Sequence, residues 1–344
     1  MSGGMISVFG DADDYQDALR DECDVDLLVN DHRSPFRAQL TRISLSRMHL
    51  VAAEENAARI AFLSLPMRLV RVSLPMEGCT SLLFNGTAHC ATDLFIHGPG
   101  QHLHERTDGP SRWRSIWLME QDLAGYVLSI TGGTFAIPQG TGRWRPPHAA
   151  LRSLIRLYAA AVRVNKRNPE VIAGAKAAEG LEQQLALALT ECLQTTMIDV
   201  PTSRCAAIMS RFETVARARP NGAASMGEIC ASIGVSPATL RPCCQLHLGM
   251  PPLQYLRLLR LSLARRALRD ADPRIALVSE IARQHGFGNA GRFAAQYQTL
   301  FGERPSVTLE HEAPPVRACR SRPITGVRSG EILEAPFLYR SNQV

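Results

Sequence analysis

The chain has 344 residues, with 38 lysines and arginines against 32 aspartates and glutamates. A chain of this length is expected to fold as two domains, each large enough to bury its own core. The longest apolar runs fall short of the roughly 18 residues of a membrane span, and the acidic start of the chain does not resemble a signal peptide. We therefore expect a cytoplasmic protein with no membrane partner.

The composition of the sequence changes near residue 34. Residues 1–33 form an acidic N-terminal segment that contains DADDYQDALRDECDVD. From residue 34 to about 140, short runs rich in Val, Ile, Leu, Phe and Thr alternate with Gly and Pro, and Asn85-Gly86 is the clearest hairpin signal. This pattern predicts an antiparallel β-sandwich or barrel.

A His-Leu-His-Glu motif lies within this β region. His102 and His104 would share one face of a strand, and with a carboxylate they could hold a divalent metal. Glu105 directly follows the second histidine, however, and the flanking Gly and Pro residues favour a polar turn. We therefore predict no metal site and no catalytic residue, and hence no enzyme. A metal-dependent enzyme domain remains the alternative, which bound metal at this motif would identify.

Residues 146–195 carry two helical apolar stripes. The second stripe contains Leu185 and Leu189. Two amphipathic helices after a β domain either close that domain or pair between two subunits. Residues 34–193 are thus expected to form one domain, followed by a linker over 194–205 (QTTMIDVPTSRC).

The segment 279–306 predicts a helix, a short turn and a second helix. Ile281 and Ala282 lie on the apolar face of the first helix, and Gly286 suits the left-handed residue that ends it. Asn289 is a good N-cap for the second helix, whose apolar stripe includes Phe293 and Tyr297. This is the sequence form of a helix-turn-helix, in which the second helix commonly enters the major groove of DNA.

The same pattern occurs once more upstream, over residues 227–252. Glu228-Ile229 and Gly234-Val235 match Glu280-Ile281 and Gly286-Phe287, 52 residues later. Leu240 and Leu248 match Phe293 and Phe301, 53 residues later. Repetition at a near-constant offset is hard to obtain by accident. The residues predicted to form the cores of the two units are Ile229, Gly234, Leu240 and Leu248 in the first, and Ile281, Gly286, Phe287, Phe293, Tyr297, Phe301 and Pro305 in the second.

Between the units runs PLQYLRLLRLSLARRALRDAD, which has no internal Gly or Pro. As one helix it rises about 28 Å, near the ~34 Å between successive major grooves on one face of DNA. Residues 205–312 contain 13 arginines and 8 acidic residues, so most of the net charge of +6 lies here. A basic surface of this kind is typical of nucleic-acid binding.

These motifs resemble the twin helix-turn-helix domain of the AraC/XylS family of bacterial transcription regulators. The resemblance covers residues 206–312 and rests on SPATL, on LGMPPLQYLRLLRLSLARRAL and on GRFAAQYQTLFGERPS. It implies an all-α DNA-binding domain whose two units are joined by a long helix. It also implies a nucleoid-associated regulator that binds double-stranded DNA and contacts RNA polymerase. For the helices of 146–195 it favours pairing between subunits, so we predict a homodimer with Leu185 and Leu189 in the contact. An architectural DNA binder with no effector is a further alternative.

A weaker resemblance extends to the N-terminal domain, on the order of its elements and on GPGQHLHERTDGPSRW. It implies a cupin-like β domain that binds a small-molecule effector, and no cofactor is expected. The fold class is therefore α+β and multidomain. Residues 313–344 have the composition of a disordered tail.

Within the two units, side chains opposite the core stripes are predicted to face DNA. Arg292 suits bidentate contact with guanine. Pro242 is predicted to kink the first recognition helix, so the second unit should read bases more strongly than the first. The residues predicted to contact DNA are Ser236, Thr239, Arg241, Gln245, Asn289, Arg292 and Gln298.

The nine cysteines follow irregular spacings that match neither a zinc site nor a disulfide framework. We expect them to be reduced, with Cys243-Cys244 serving in packing; a redox-sensor role for this pair is the less favoured alternative.

Overall fold

The computed structural model describes residues 2–29, 34–75, 82–198, 204–218 and 225–310. Within these ranges an N-terminal domain of two antiparallel sheets is followed by a helical C-terminal domain. The strands are β1 (Gly3–Phe9), β2 (Asp24–Val29), β3 (Ala38–Ser44), β4 (Met48–Glu55), β5 (Arg59–Ser64), β6 (Leu69–Leu74), β7 (Leu82–Phe84), β8 (Thr87–Ala88), β9 (Leu94–His97), β10 (His102–Thr107), β11 (Ser111–Met119) and β12 (Thr141–Trp144).

The helices divide between the two domains. Those of the N-terminal domain are α1 (Ala12–Leu19), α2 (Glu120–Thr131), α3 (His148–Arg167), α4 (Pro169–Ala173) and α5 (Ala175–Leu193). Those of the C-terminal domain are α6 (Arg204–Ala218), α7 (Met226–Ile233), α8 (Pro237–Leu248), α9 (Pro252–Asp270), α10 (Val278–Gln284), α11 (Ala290–Phe301) and α12 (Pro305–Glu310).

The two sheets pack face to face, which confirms the predicted antiparallel β domain. A seven-stranded sheet has the order β1-β3-β4-β11-β6-β9-β12, and a five-stranded sheet has the order β2-β5-β10-β7-β8. Side chains from both sheets, with α1, form one core that contains Trp113 and Trp117. The Asn85-Gly86 hairpin joins β7 to β8, and both turn residues have the positive φ that such a tight turn requires (48° and 78°).

The acidic segment is part of these sheets. β1 pairs with β3 and β2 pairs with β5, so the predicted division at residue 34 is wrong. The acidic residues concealed the pattern because many lie on the outside of α1 and β2, while Tyr15 and Val25 point into the core. Asp11 caps α1 by accepting the backbone N–H groups of Asp13 and Asp14.

The His-Leu-His-Glu motif forms a strand and not the predicted polar turn. β10 pairs along its length with β5, from His102 opposite Ser64 to Thr107 opposite Arg59. Successive side chains of a strand point to opposite faces, so Glu105 lies inside the domain while His104 points out of it. The helix α2, which directly follows β11, was also not predicted.

The helices α3 and α5 close the N-terminal domain. Leu185 is 0% exposed and Leu189 is 1% exposed, in one core with Ile116 of β11 and Leu154 of α3. The prediction that two subunits pair through Leu185 and Leu189 is therefore wrong, because both side chains are already buried within the chain. An apolar stripe shows that a helix face is covered but does not say by what.

In the helical domain the two repeated units surround α9, whose 19 residues rise about 28 Å. One core forms around α6, α7 and α8, and a second around α10, α11 and α12; α9 contributes to both. The helix α6 begins at Arg204, inside the predicted linker; residues 199–203 of that linker and the predicted tail of 313–344 lie outside the described residues. In the described part of the chain, none of the helices is long and apolar enough to span a membrane.

Candidate nucleic-acid interface

The first unit presents α8 on a short turn after α7. Gly234 ends α7 with a φ of 70°, which a residue without a Cβ adopts at little cost. Ser236 then caps α8, since its Oγ accepts the backbone N–H of Thr239 at 3.1 Å. The hydroxyl of Ser236 is thereby engaged in a hydrogen bond within the protein. Leu240 and Leu248 are buried, and Arg241 and Gln245 are exposed.

Pro242 lies inside α8, and the helix continues through it as one element. Proline has no N–H, so the carbonyl of Ala238 loses its usual helical partner. The side chain of Gln245 turns back, and its Nε2 donates to the carbonyl oxygen of Gly249 at 3.1 Å. Of the residues predicted to contact DNA in this unit, Arg241 therefore has the greatest freedom.

The second unit repeats this geometry around α11. Gly286 has a φ of 80°, and Oδ1 of Asn289 accepts the backbone N–H of Arg292 at 2.8 Å. Phe293 and Tyr297 are fully buried, whereas Arg292 and Gln298 are exposed. Ile281 and Pro305 are also buried, and Phe287 and Phe301 partly so. The structure thus places Asn289 as a cap and Arg292 at the exposed start of the helix.

A groove between the two units adds two arginines that the sequence analysis missed. Arg257 and Arg260 of α9 line a cavity of about 530 Å³ together with Asn289 and Arg292. Among the described residues, the side chains of these three arginines have no hydrogen bond or ion pair. Burial also lowers the pKa of Arg260. The i, i+3 spacing of Arg257 and Arg260 was the available signal, because it places both on one face of α9.

Other arginines of α9 face the N-terminal domain. Arg265 Nη2 lies 3.1 Å from Asp11 Oδ2, and Arg265 Nε lies 2.5 Å from Asp13 Oδ2. Arg269 Nη1 lies 2.9 Å from Asp11 Oδ1, and its Nη2 lies 2.5 Å from Asp14 Oδ1. Burial would raise the pKa of Asp11, but the charge of Arg265 and the backbone N–H groups at the start of α1 outweigh it and lower that pKa.

A buried carboxylate joins the two domains near α6. Glu213 is 1% exposed, and its Oε1 lies 2.7 Å from Nε2 of His104 on β10. Tyr255 donates its hydroxyl to the same carboxylate, and Arg217 Nε donates to Oε2 at 3.0 Å. Burial opposes ionisation of Glu213, but these bonds outweigh it and lower its pKa. A carboxylate only accepts hydrogen bonds, so Nε2 of His104 carries the proton.

Further contacts complete the junction. Leu28 and Ile60 of the five-stranded sheet are buried in the core of the first unit. Arg106 Nη1 donates to the carbonyl oxygens of Gln245 and Leu246 at the end of α8, at 3.2 and 3.3 Å. A cavity of about 410 Å³ lies between the domains, lined by Leu27, Val29, Phe36, Leu258, Arg265 and Phe301 among others.

The alternative metal site does not assemble. His102 is exposed, His104 binds Glu213, and Glu105 points to the other side of β10. Glu105 pairs with Arg59 and Arg71 inside the domain, and these charges lower its pKa despite its burial. Within the described residues, no group of three or more His, Cys, Asp or Glu side chains is arranged to hold a metal ion.

The expectation that all cysteines are reduced is wrong in the structure. Cys205 at the start of α6 is joined to Cys243 of α8 by a disulfide, with Cα atoms 5.0 Å apart. Their separation of 38 positions in the sequence hid the pair, since a disulfide depends on approach in space and not on spacing in sequence.

Comparison with known proteins gives matches that centre on the C-terminal domain. Residues 229–311 match the helix-turn-helix domain family. A probable thc operon regulatory protein of Rhodococcus erythropolis is 38% identical over 85 residues, which is 25% of this chain and 26% of the relative. The matches to the first curated relatives thus span a quarter to a half of those proteins' length.

Two longer matches are weaker. The transcriptional activator RhaS of Pectobacterium carotovorum is 24% identical over 279 residues, 78% of this chain and 94% of that protein. The crystal structure of the AraC-like transcriptional activator CuxR has a TM-score of 0.40 and 15% identity, over 76% of this chain and 95% of that one. The structure contains two helix-turn-helix units, and the sequence that forms them matches the helix-turn-helix domain family. The C-terminal domain of this chain is therefore a helix-turn-helix domain of the AraC/XylS family.

Proposed function

We propose that this protein is a sequence-specific DNA-binding regulator of transcription that responds to a small-molecule effector. The observation that carries the proposal is the set of arginines with no partner among the described residues, which extends from α8 through α9 to α11. Arg241, Arg257, Arg260 and Arg292 have no such hydrogen bond or ion pair, and the helix α9, which connects the two units, is about 28 Å long. Successive major grooves on one face of DNA are about 34 Å apart.

The positions of these arginines on their helices suggest different roles in DNA binding. Arg292 stands in the first turn of α11, the part of a recognition helix that contacts base edges. Arg257 and Arg260 lie on the helix between the units, where the DNA backbone would pass between two grooves. Phosphate contacts position a protein on DNA and base contacts specify the sequence. We therefore assign base reading to Arg292 and phosphate binding to Arg257 and Arg260.

The junction between the domains is where effector binding would influence DNA binding. The cavity of about 410 Å³ is lined by apolar residues of both domains and by Arg265 with its ion-pair partners Asp11 and Asp13. A small molecule that enters it contacts both domains, so it would shift the balance between docked and released arrangements if it binds them unequally. Neither alternative proposed above, a metalloenzyme or an architectural binder, gains a specific observation in its favour.

Homodimer formation and contact with RNA polymerase stay part of the proposal. Dimer formation needs a surface other than the Leu185 and Leu189 stripe. Leu128 of α2 and Leu187 of α5 remain largely exposed, at 53% and 40%, and offer the apolar residues from which such a surface would be built.

The test is selection of binding sites from random DNA with the wild-type chain and two single variants. Arg292→Ala should relax the preference at one guanine, which corresponds to about 1–3 kcal/mol of discrimination. Arg241→Ala, the matched change on the helix that contains Pro242, should lower affinity more evenly across sequences. Quantitative binding to the selected site and to scrambled DNA separates the two effects.

Two outcomes count against the proposal. A folded wild-type chain that selects no consensus is not a sequence-specific regulator. If Arg292→Ala weakens binding but keeps the wild-type preference, Arg292 binds phosphate and its assignment to base reading is wrong.

A further inference from the structure

The disulfide between Cys205 and Cys243 joins two elements with different tasks. Cys205 lies in the first turn of α6, directly after the stretch that connects the two domains, and Cys243 lies on the buried side of the first recognition helix. Cys205 is partly buried, whereas Cys243 is 2% exposed. We propose that this pair is a reversible redox site and that its oxidation state sets the mobility of α8.

The helix α8 has a weak point that a crosslink would offset. Pro242 removes one of its backbone hydrogen bonds directly beside Cys243. The neighbouring contact to α6 is a weak hydrogen bond between two sulfur atoms, from Cys244 Sγ to Met209 Sδ at 3.7 Å. The disulfide supplies a covalent link at the same place. Oxidation thus holds α8 against α6 covalently, and reduction leaves α8 to side-chain packing and to the hydrogen bonds from Arg106 at its end.

The accessibility of the two sulfurs sets the order of the chemistry. With oxidised glutathione as the oxidant, the thiolate of the partly exposed Cys205 attacks one glutathione sulfur, and the first glutathione thiolate leaves. The thiol of Cys243 then loses its proton, and its sulfur attacks that of Cys205, releasing the second glutathione thiolate. Two electrons pass from the two cysteines to glutathione, and the two protons end on the two glutathione thiols. Excess reduced glutathione reverses both steps.

The other cysteines of the described residues do not compete for this role. Burial raises the pKa of the adjacent Cys244 to about 12, and burial also raises the pKa of Cys230. These thiols are poor nucleophiles near neutral pH because the thiolate is the reactive form. Cys90 is exposed but is not part of a disulfide. It therefore provides a matched control for oxidation at an accessible, single thiol.

The experiment exposes the full chain to glutathione buffers of increasing oxidation and reads three quantities. Peptide mapping without reduction should find residues 205–211 linked to the peptide that contains Cys243, in wild type and in Cys244→Ser but not in Cys243→Ser. Hydrogen exchange should show α8 better protected in the oxidised chain. Affinity for the selected DNA site, which rests on the proposed function, should rise severalfold on oxidation because the reading helix is held in place.

Cys205→Ser replaces a partly exposed side chain and is expected to fold; it should abolish all three responses, whereas Cys90→Ser should keep them. If the thiols of Cys205 and Cys243 persist in fully oxidised glutathione, or if the disulfide forms and α8 exchanges at an unchanged rate, the proposal is wrong. If the disulfide protects α8 but neither state binds a selected site, the redox site stands and the proposed DNA-binding function fails.

Discussion

Two groups of arginines in the helical domain differ in their partners. Arg217, Arg265, Arg266 and Arg269 face the N-terminal domain, where each lies within 4 Å of an aspartate of β2 or of the start of α1. Arg257, Arg260 and Arg292 line one groove, and these three and the exposed Arg241 have no side-chain partner among the described residues; we call these four arginines the open face. Both groups are made of the same residue type, and α9 contributes to both.

This difference shows that net charge overstates the surface available to DNA. Residues 205–312 contain 13 arginines, yet four of them are neutralised by acids of the N-terminal domain. Phosphate affinity depends on cations that are free to release counterions from DNA. The open face therefore determines the electrostatic part of DNA binding. The arginines that face the N-terminal domain, here called the docked face, connect the helical domain to the N-terminal domain.

The largest expected effect is the dependence of DNA affinity on salt. The three open arginines that are expected to bind phosphate, Arg241, Arg257 and Arg260, should release enough counterions to lower affinity by roughly 40-fold between ~50 and ~200 mM salt. If the docked arginines also bound phosphates, the slope on a logarithmic plot would be about twice as steep. Fluorescence anisotropy of the full chain on its selected site measures the slope. A slope of the steeper kind would mean that the domains separate on DNA.

A smaller effect distinguishes the two faces of α9. The double variant Arg257→Ala/Arg260→Ala should lower affinity at least tenfold and reduce the salt slope by about 2, since each phosphate contact contributes roughly 1. The matched variant Arg265→Ala/Arg269→Ala removes the same two charges from the same helix. It should leave the slope unchanged and weaken the contact with α1, which limited proteolysis between the domains would detect. Equal slopes in both variants would contradict the comparison.

The smallest effect concerns pH at the docked face. Burial, together with the charges of the nearby His104 and Arg106, lowers the pKa of His247, at the end of α8, from 6.5 to about 4. His247 therefore resists protonation in the folded chain. Its contribution to stability is complete above pH 6.5 and is lost as the pH falls towards 4.

Replacement of His247 by Phe keeps the ring and removes the titration. Thermal unfolding between pH 7 and 5 should therefore show a smaller loss of stability in His247→Phe than in wild type. Both proteins will still lose some stability, because burial also lowers the pKa of His97 to about 3 and of His89 to about 4. Equal losses in the two proteins would show that His247 does not titrate in this range.

Much of the helical domain could be predicted because its signals are local. Gly234, Gly286, Ser236 and Asn289 act through their own backbone or through an N–H three residues away, so spacing alone identifies them. The hairpin at Asn85-Gly86 is local in the same sense. Periodicity likewise located the buried stripes of both units, although it could not say whether Arg292 meets a base or a phosphate.

The errors concern contacts between distant residues. The acidic start of the chain was set apart because its charges dominate its composition, yet β1 and β2 find their partners in β3 and β5. The leucine stripe of α5 was read as a subunit contact, yet α3 and the seven-stranded sheet cover it. In both cases the local pattern was interpreted correctly, but the segment that packs against it lies far away in the sequence.

By itself the sequence determined the twin units, their spacing on α9 and the presence of a separate β domain, because caps, turns and periodicity act over a few residues. Only the tertiary structure decided which arginines of α9 remain without a partner, that His104 forms a hydrogen bond with Glu213, and that Cys205 forms a disulfide with Cys243. Charge pairing and disulfide formation depend on distances of a few ångströms between segments far apart in the chain. Such distances exist only after the two domains have folded and docked.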